Sequence, residues 1–294
     1  MLHWRVKVDT LSSIQAILLA DTAQLNSSLE LGTATARIEV QCLLQAVLKA
    51  PRSYLLAHPE QVLTASQKAV YDVLLKRRLQ GEPIAHILGE REFFGLNFKV
   101  TPATLIPRPE TELLVELALQ YLPQGRACRV LDLGTGSGAI ALSIASSRPN
   151  VEMVAVDASE AALQVASENA LRLSVTNVSF RQSNWFSALG GQHFDLIVSN
   201  PPYIPAGDQH LTQGDVRFEP VSALVSGADG LDDIRRIVAQ AGAFLERGAW
   251  LLLEHGYDQA QAVRELLQRN DYAEVFSAKD IAGIERTSGG VWGK

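Results

Sequence analysis

Cysteine is almost missing from this chain. Cys42 and Cys128 are its two thiols, too few for a disulfide framework or a four-ligand zinc site, and their spacing matches no metal or redox motif. Long apolar runs are missing as well. No stretch approaches the roughly 18 apolar residues of a membrane span, and the opening Met1-Leu-His-Trp-Arg-Val-Lys7 lacks the apolar segment of a signal peptide, so a cytoplasmic protein is expected. Nor is there an excess of positive charge: 26 basic against 32 acidic side chains leave a net charge of −6, which disfavours a surface made to coat nucleic acid phosphates. Residues 1–100 hold 11 basic and 9 acidic groups, residues 101–294 hold 15 and 23. Any charge-guided contact with a macromolecule is therefore expected in the first third. Repeats are absent, and the 12 prolines and 21 glycines follow no period, which excludes a fibre. With 47% apolar residues over 294 positions, the chain can bury a sizeable core as one large domain or two.

Two periodicities divide what is present. Up to about residue 88 the apolar spacing is helical: Ile14, Ile17 and Leu18; Ile38, Cys42, Leu43 and Val47; Val70, Val73 and Leu74, before a stop at Gly81. This predicts a small all-α domain over 1–88. Its last long helix, 66–80, ends in Lys76, Arg77 and Arg78, which oppose the negative end of the helix dipole or dock a partner. Phe93 to Val100 reads as a hairpin around Gly95 and Asn97, and Thr101–Pro109 carries three prolines, where helix is disfavoured. The domain boundary is expected within 89–109.

From Glu110 helices alternate with short apolar strands. Helices are predicted at Glu110–Leu122, Ala139–Ala145, Ser159–Leu173 and Asp258–Gln268. Strands are predicted at Cys128–Leu133, Val151–Val156, Val178–Arg181, Phe194–Ser199 and Trp250–Leu253, with weaker ones at 272–277 and 285–292. Wholly apolar strands between helices signal a doubly wound α/β fold, its mostly parallel, seven-stranded sheet covered on both faces. Ligands of such a fold lie beyond the carboxyl ends of the strands.

Two elements fall at those ends. In Val130-Leu-Asp-Leu-Gly-Thr-Gly-Ser-Gly-Ala-Ile140, Gly134, Gly136 and Gly138 stand between strand and helix, where the backbone must turn tightly and approach a ligand. About twenty residues on, Asp157 ends the next strand, suited to a ribose diol. The glycines alone divide between a nicotinamide or flavin cofactor and S-adenosylmethionine; Asp132, just before the loop, suits a cationic ligand and favours the latter. The second element is Phe194-Asp-Leu-Ile-Val-Ser-Asn-Pro-Pro-Tyr-Ile204. Two prolines forbid helix and fix an extended turn after a buried strand. The Asn200 side-chain oxygen and the Pro201 carbonyl are two acceptors aimed at one place. A planar NH₂ group is their natural guest, with Tyr203 packing against it, and catalysis then rests on alignment with a reactive methyl. His86 and His255 are expected to be structural, since such a transfer needs no strong base.

These elements resemble the class I S-adenosylmethionine-dependent methyltransferases that modify planar amino groups, and more narrowly the peptide chain release factor glutamine N5-methyltransferase family. The narrower likeness rests on Gly81-Glu-Pro-Ile-Ala-His-Ile-Leu-Gly89, Glu92-Phe-Phe-Gly95, Leu105-Ile-Pro-Arg-Pro-Glu-Thr-Glu112, Arg217-Phe-Glu-Pro220 and Leu253-Glu-His-Gly256, beside the glycine loop and Asn-Pro-Pro-Tyr. It implies a Rossmann-like catalytic domain over 110–294. It also implies a helical domain that docks class I release factors, and transfer of a methyl group from S-adenosylmethionine to the glutamine of their Gly-Gly-Gln tip. Gly134, Thr135, Gly136, Ser137 and Gly138 would then cradle the amino acid part of the cofactor. Asp157 would hold the ribose and Trp185 would lie by the adenine. Asn200, Pro201, Pro202 and Tyr203 would grip the glutamine amide, Phe94 would wall its pocket and Glu112 would border the cofactor. Asn184 departs from the family, which usually has Asp before that tryptophan. No metal, membrane or direct nucleic acid binding is implied, and a monomer is expected. Two other functions fit the bare motifs: methylation of adenine N6 in nucleic acid, and a dinucleotide-binding module without transfer.

Overall fold

The computed structural model describes residues 12–293; the opening stretch read above for a leader lies outside them. The chain forms two compact units. One comprises the residues up to Gly89 with Gln213–Phe218, the other Glu90–Thr212 with the residues from Glu219 onward.

The first unit holds five helices: α1 (Ile14–Leu29), α2 (Thr33–Leu48), α3 (Arg52–Ala57), α4 (Ala65–Leu79) and α5 (Ile84–Leu88). Ser13 caps α1 by accepting Ala16 N–H at 3.3 Å. A capping box opens α4: Thr64 accepts Gln67 N–H at 3.3 Å and the Gln67 side chain accepts Thr64 N–H at 2.9 Å, satisfying donors that the first turn leaves without intrahelical partners. Ile14, Ile17, Leu25, Val40, Leu43, Leu44, Tyr71 and Leu75 form the core. Three residues of the expected stripes, Ile38, Val70 and Val73, are more than half exposed instead. Both helices carry apolar side chains on two faces, and α4 buries the face one residue on, through Tyr71, Leu75 and Arg78.

Arg78 therefore does not sit at the surface opposing a helix dipole. Its Nε and Nη2 donate to Glu39 of α2 at 2.7 and 3.2 Å, its Nη1 donates to the Glu82 carbonyl at 3.0 Å, and Asp215 lies 3.2 Å away. Burial outweighs the attraction of Arg78 and pushes the Glu39 carboxyl above its usual range. The neighbouring Arg77 pairs with Glu82 at 2.7 Å.

The second unit opens with the antiparallel hairpin β1 (Glu90–Phe93) and β2 (Leu96–Lys99). A 3₁₀ turn at Pro109–Thr111 leads into α6 (Glu112–Tyr121). There follow β3 (Cys128–Leu133), α7 (Ala139–Ser147), β4 (Val151–Asp157), α8 (Glu160–Leu173), β5 (Val178–Gln182), β6 (Phe194–Ser199), α9 (Asp232–Ala241), β7 (Leu245–Glu254), α10 (Ala260–Arg269), β8 (Tyr272–Lys279) and β9 (Glu285–Trp292). The sheet is seven-stranded and mostly parallel, in the order β5-β4-β3-β6-β7-β9-β8. Strand β9 runs antiparallel to both of its neighbours, β7 and β8, and the other described pairs of this sheet are parallel.

Alternate residues of the central strands feed opposite faces. Val130, Met153, Ala155, Leu196 and Val198 pack with residues of α6, α7 and the hairpin; Leu131, Leu133, Val154, Val156 and Ile197 pack with those of α9 and α10. Each large aliphatic side chain so buried contributes about 1.5–3 kcal/mol. The helix α9 has no counterpart in the sequence reading, although Ile234, Ile237, Val238 and Ala241 mark its buried stripe. Strand β7 begins at Leu245 rather than Trp250, because the exposed Glu246, Arg247 and Gly248 interrupt its apolar run. No described helix is long and apolar enough to cross a membrane.

Removing the guanidinium by Arg78→Ala strands a buried carboxylate. In urea denaturation it is expected to cost about 3–5 kcal/mol, whereas replacing both partners, Arg78→Met with Glu39→Leu, recovers most of the loss.

Candidate active site

Strand register builds the site. Leu133 at the end of β3 lies opposite Val156 of β4 on one side and Ser199 of β6 on the other. The loops that begin at Gly134, Asp157 and Asn200 therefore leave the sheet next to one another, where the strand order reverses. Gly134 N–H and Thr135 N–H both donate to the Val156 carbonyl at 2.9 Å, and Gly136 N–H donates to Asp157 Oδ2 at 2.9 Å. Asn169 of α8 donates to the Ser137 carbonyl and clasps the backbone of Lys99, so one amide links glycine loop and hairpin. Gly138 serves packing: a Cβ there would meet Leu142 at 3.0 Å and Ala166 of α8 at 3.2 Å.

The two acidic residues near the loop differ. Asp157 accepts from Gly136 and, at 2.8 Å, from Ser159 N–H. A carboxylate has about four acceptor sites, so capacity remains for a diol. Asp132 does not face the cleft as expected. It is fully buried under the loop, takes the Thr135 hydroxyl at 2.7 Å, and desolvation pushes its carboxyl up to about 7. Opposite the loop, the Trp185 indole lies 3.5 Å from where a Gly134 Cβ would stand, and its Nε1–H donates to Asp233 at 3.2 Å.

After β6, whose Ser199 hydroxyl donates to the Leu133 carbonyl at 2.7 Å, the chain enters Asn200-Pro-Pro-Tyr203. Asn200 Nδ2 donates to Thr111 Oγ1 at 3.2 Å. Neither Asn200 Oδ1 nor the Pro201 carbonyl accepts a hydrogen bond from any described residue. The Tyr203 hydroxyl donates to Glu254 at 3.3 Å, and burial pushes its pKa up. The turn is buttressed from behind. Gln259 donates to the Tyr203 carbonyl at 3.0 Å, and Gly230 lies so close that a Cβ would stand 2.2 Å from that oxygen.

A cleft of about 590 Å³ joins these elements, lined by Gly134, Thr135, Gly136, Ser137, Asp157, Trp185, Asn200 and Pro202 among others. Of the expected site residues, Gly138, Pro201, Tyr203 and Phe94 do not line it. Phe94 forms the hairpin turn and donates its N–H to Glu112 at 2.9 Å, so Glu112 serves that turn rather than the cleft border. His255 is buried between the Gly256 carbonyl, at 2.9 Å, and Ser288, at 2.8 Å, with desolvation lowering its pKa. Among the lining residues that sequence reading did not single out are the polar Arg108, Thr111 and Asp233. Arg108 is paired with the buried Glu219, and both stand in segments quoted above for their resemblance. The cleft offers a nucleoside joined to a charged amino acid what it needs: an aromatic wall, a carboxylate with spare acceptors, a close backbone, and a cation for a carboxylate. S-adenosylmethionine fits these residues.

Comparison with known proteins agrees with this geometry. Residues 110–217 match the model of the methyltransferase small domain, and residues 22–89 that of the PrmC N-terminal domain. The release factor glutamine methyltransferase of Pseudomonas aeruginosa is 54% identical over 258 residues, 88% of this chain and 93% of that protein. Its Escherichia coli counterpart is 50% identical over 252 residues, 86% of this chain and 91% of that protein. Among solved structures, a methyltransferase from Pyrococcus furiosus shares the fold, with a TM-score of 0.52 at 22% identity over 74% of this chain and 98% of its own. Sharing half its residues with nearly whole relatives of one name, across both the helical and the sheet units, the chain belongs to the release factor glutamine methyltransferase family.

Proposed function

We propose that the protein transfers a methyl group from S-adenosylmethionine to the side-chain amide nitrogen of the glutamine in the Gly-Gly-Gln motif of class I peptide chain release factors. One observation carries the reading. With Nδ2 donated to Thr111, Asn200 lines the cleft at the end of the strand adjoining the glycine loop with its carbonyl oxygen left for a guest, and the Pro201 carbonyl follows it in the chain. Two acceptors take one N–H each from a carboxamide and leave its nitrogen aimed at the cleft.

When bound, the cofactor supplies an electrophilic methyl group on a sulfonium. The residues do the rest. Gly134 to Ser137 would hold the cofactor's amino acid end, Arg108, already paired with Glu219, would supply positive charge for its carboxylate, Asp157 would take the ribose hydroxyls and Trp185 would wall the adenine. An amide nitrogen is a weak nucleophile because its lone pair is delocalised into the carbonyl. Acceptors on both N–H bonds return electron density to it, and their fixed positions remove the entropy of alignment. Once methylated, the nitrogen is acidic enough to release a proton without a strong base. The match of residues 22–89 to a domain of the same family, folded as its own unit, supports a docking role for the helical unit. A substrate that serves translation supports a cytoplasmic location.

Incubation with S-adenosylmethionine and a Gly-Gly-Gln release factor is expected to add one methyl, localised to the glutamine by mass spectrometry. Asn200→Ala should lower kcat by about 10²–10³-fold; an unchanged rate would contradict the assignment. Gly230→Ala, which forces the Tyr203 carbonyl away, is expected to lose about 10²-fold in kcat while still binding S-adenosylhomocysteine in calorimetry.

A further inference from the structure

The aromatic wall of the cleft stands in a backbone conformation that a tryptophan rarely adopts. Trp185 has a φ of 53°, in the left-handed region, where a Cβ crowds the following carbonyl; such a residue persists only when its surroundings hold it. Three contacts hold it here. The Ser183 hydroxyl donates to the Trp185 carbonyl at 2.7 Å and accepts the Ala188 N–H at 3.0 Å, closing the loop after β5 on itself. The six-membered ring, through Cζ3 and Cη2, lies 3.5 and 3.7 Å from the place of a Gly134 Cβ. At the other end of the ring system, Nε1–H donates to Asp233 Oδ1 at 3.2 Å.

Asp233 is itself fixed. It stands in the first turn of α9, where the helix dipole favours a negative charge. Ser226, 2% exposed, binds it twice: its hydroxyl donates to Asp233 Oδ2 at 2.7 Å and accepts the Asp233 N–H at 2.8 Å. The next residue, Ile234, is fully buried in the core that α9 shares with the sheet.

We infer that Asp233 is a positioning residue for the cofactor: its carboxylate fixes the plane of the Trp185 indole and so presents one ring face to the adenine. This rests on the reading that Trp185 walls the adenine. An indole has one donor and no acceptor, and its N–H lies in the plane of the ring, so the bond to Asp233 meets the whole polar demand of the side chain and leaves both faces free. A ring held at both ends is ordered before the cofactor arrives, and stacking then costs little further freedom. Without the carboxylate the N–H turns to water, the ring is held at the Gly134 end alone, and binding must order it. The effect belongs to the nucleoside end of the cofactor, away from the Asn-Pro-Pro-Tyr turn.

The test is calorimetry with S-adenosylhomocysteine and with 5′-methylthioadenosine, which has no amino acid end. The proteins are wild type, Asp233→Ala, Asp233→Asn, Trp185→Ala, Trp185→Phe, and Asp233→Ala combined with Trp185→Phe, with Tm and steady-state kinetics measured in parallel. Asp233→Ala is expected to weaken both ligands about tenfold and to raise KM for S-adenosylmethionine by a like factor, while KM for the release factor does not rise. Asp233→Asn, which keeps an acceptor oxygen, should recover most of the loss. Trp185→Phe keeps a ring without its N–H; in that background Asp233→Ala still lowers Tm, through Ser226 and α9, but no longer weakens either ligand. The inference is overturned if Asp233→Ala binds both ligands as wild type does, if it weakens them equally in the Trp185→Phe background, or if the variants differ only in Tm. A Trp185→Ala protein that binds S-adenosylhomocysteine as tightly as wild type overturns the placement of the adenine, and this inference with it; weakened binding in Trp185→Ala beside unchanged binding in Asp233→Ala overturns this inference alone.

Discussion

The pairing of β3 with β4 on one edge and β6 on the other is the constraint from which the rest of the site descends. Because Leu133 stands opposite both Val156 and Ser199, three chain segments far apart in sequence leave the sheet at one level. Parallel pairing makes this possible, since every strand then points its carboxyl end the same way. A slip of one residue would turn Leu131 and Leu133 to the opposite face, and two separate cores forbid it. Packing thus keeps the geometry of a polar site.

That site is held by polar groups placed behind it. Asp132 receives Thr135, Asn169 clasps the loop and the hairpin, Gln259 holds the Tyr203 carbonyl, and Glu254 receives the Tyr203 hydroxyl. Each is buried or nearly so, and burying such groups is unfavourable unless they are satisfied. Their common effect is rigidity. A reaction that depends on directing a weakly nucleophilic nitrogen gains more from fixed dipoles than from a strong base.

Much of this was legible in the chain itself, and the exceptions have physical causes. Strands β3 and β6 were read to the residue, because an apolar run bounded by Asp and Gly or by Asn and Pro has no competing interpretation. The loop after β3 and the turn after β6 carried their chemistry in adjacent residues. Thr111 and Asp233 did not, since each reaches the cleft from another segment, and nothing near them in sequence records the Asn200 amide or the Trp185 indole they bind. Arg78 misled for the same reason: its carboxylate partner stands 39 positions earlier, on another helix. Val70 and Val73 misled because α4 has two apolar faces and only three-dimensional packing chooses between them.

The first unit is discontinuous. Asp215 reaches the guanidinium of Arg78, and Arg217 donates to the Gln80 carbonyl at 3.3 Å, yet both belong to a short excursion after β6. Made from its amino terminus, the polypeptide has synthesised all five helices long before this excursion exists. The bundle therefore acquires its second counter-ion late, only after the central strands have emerged. Maturation of the amino-terminal part is in this way timed by synthesis of the part that carries the chemistry.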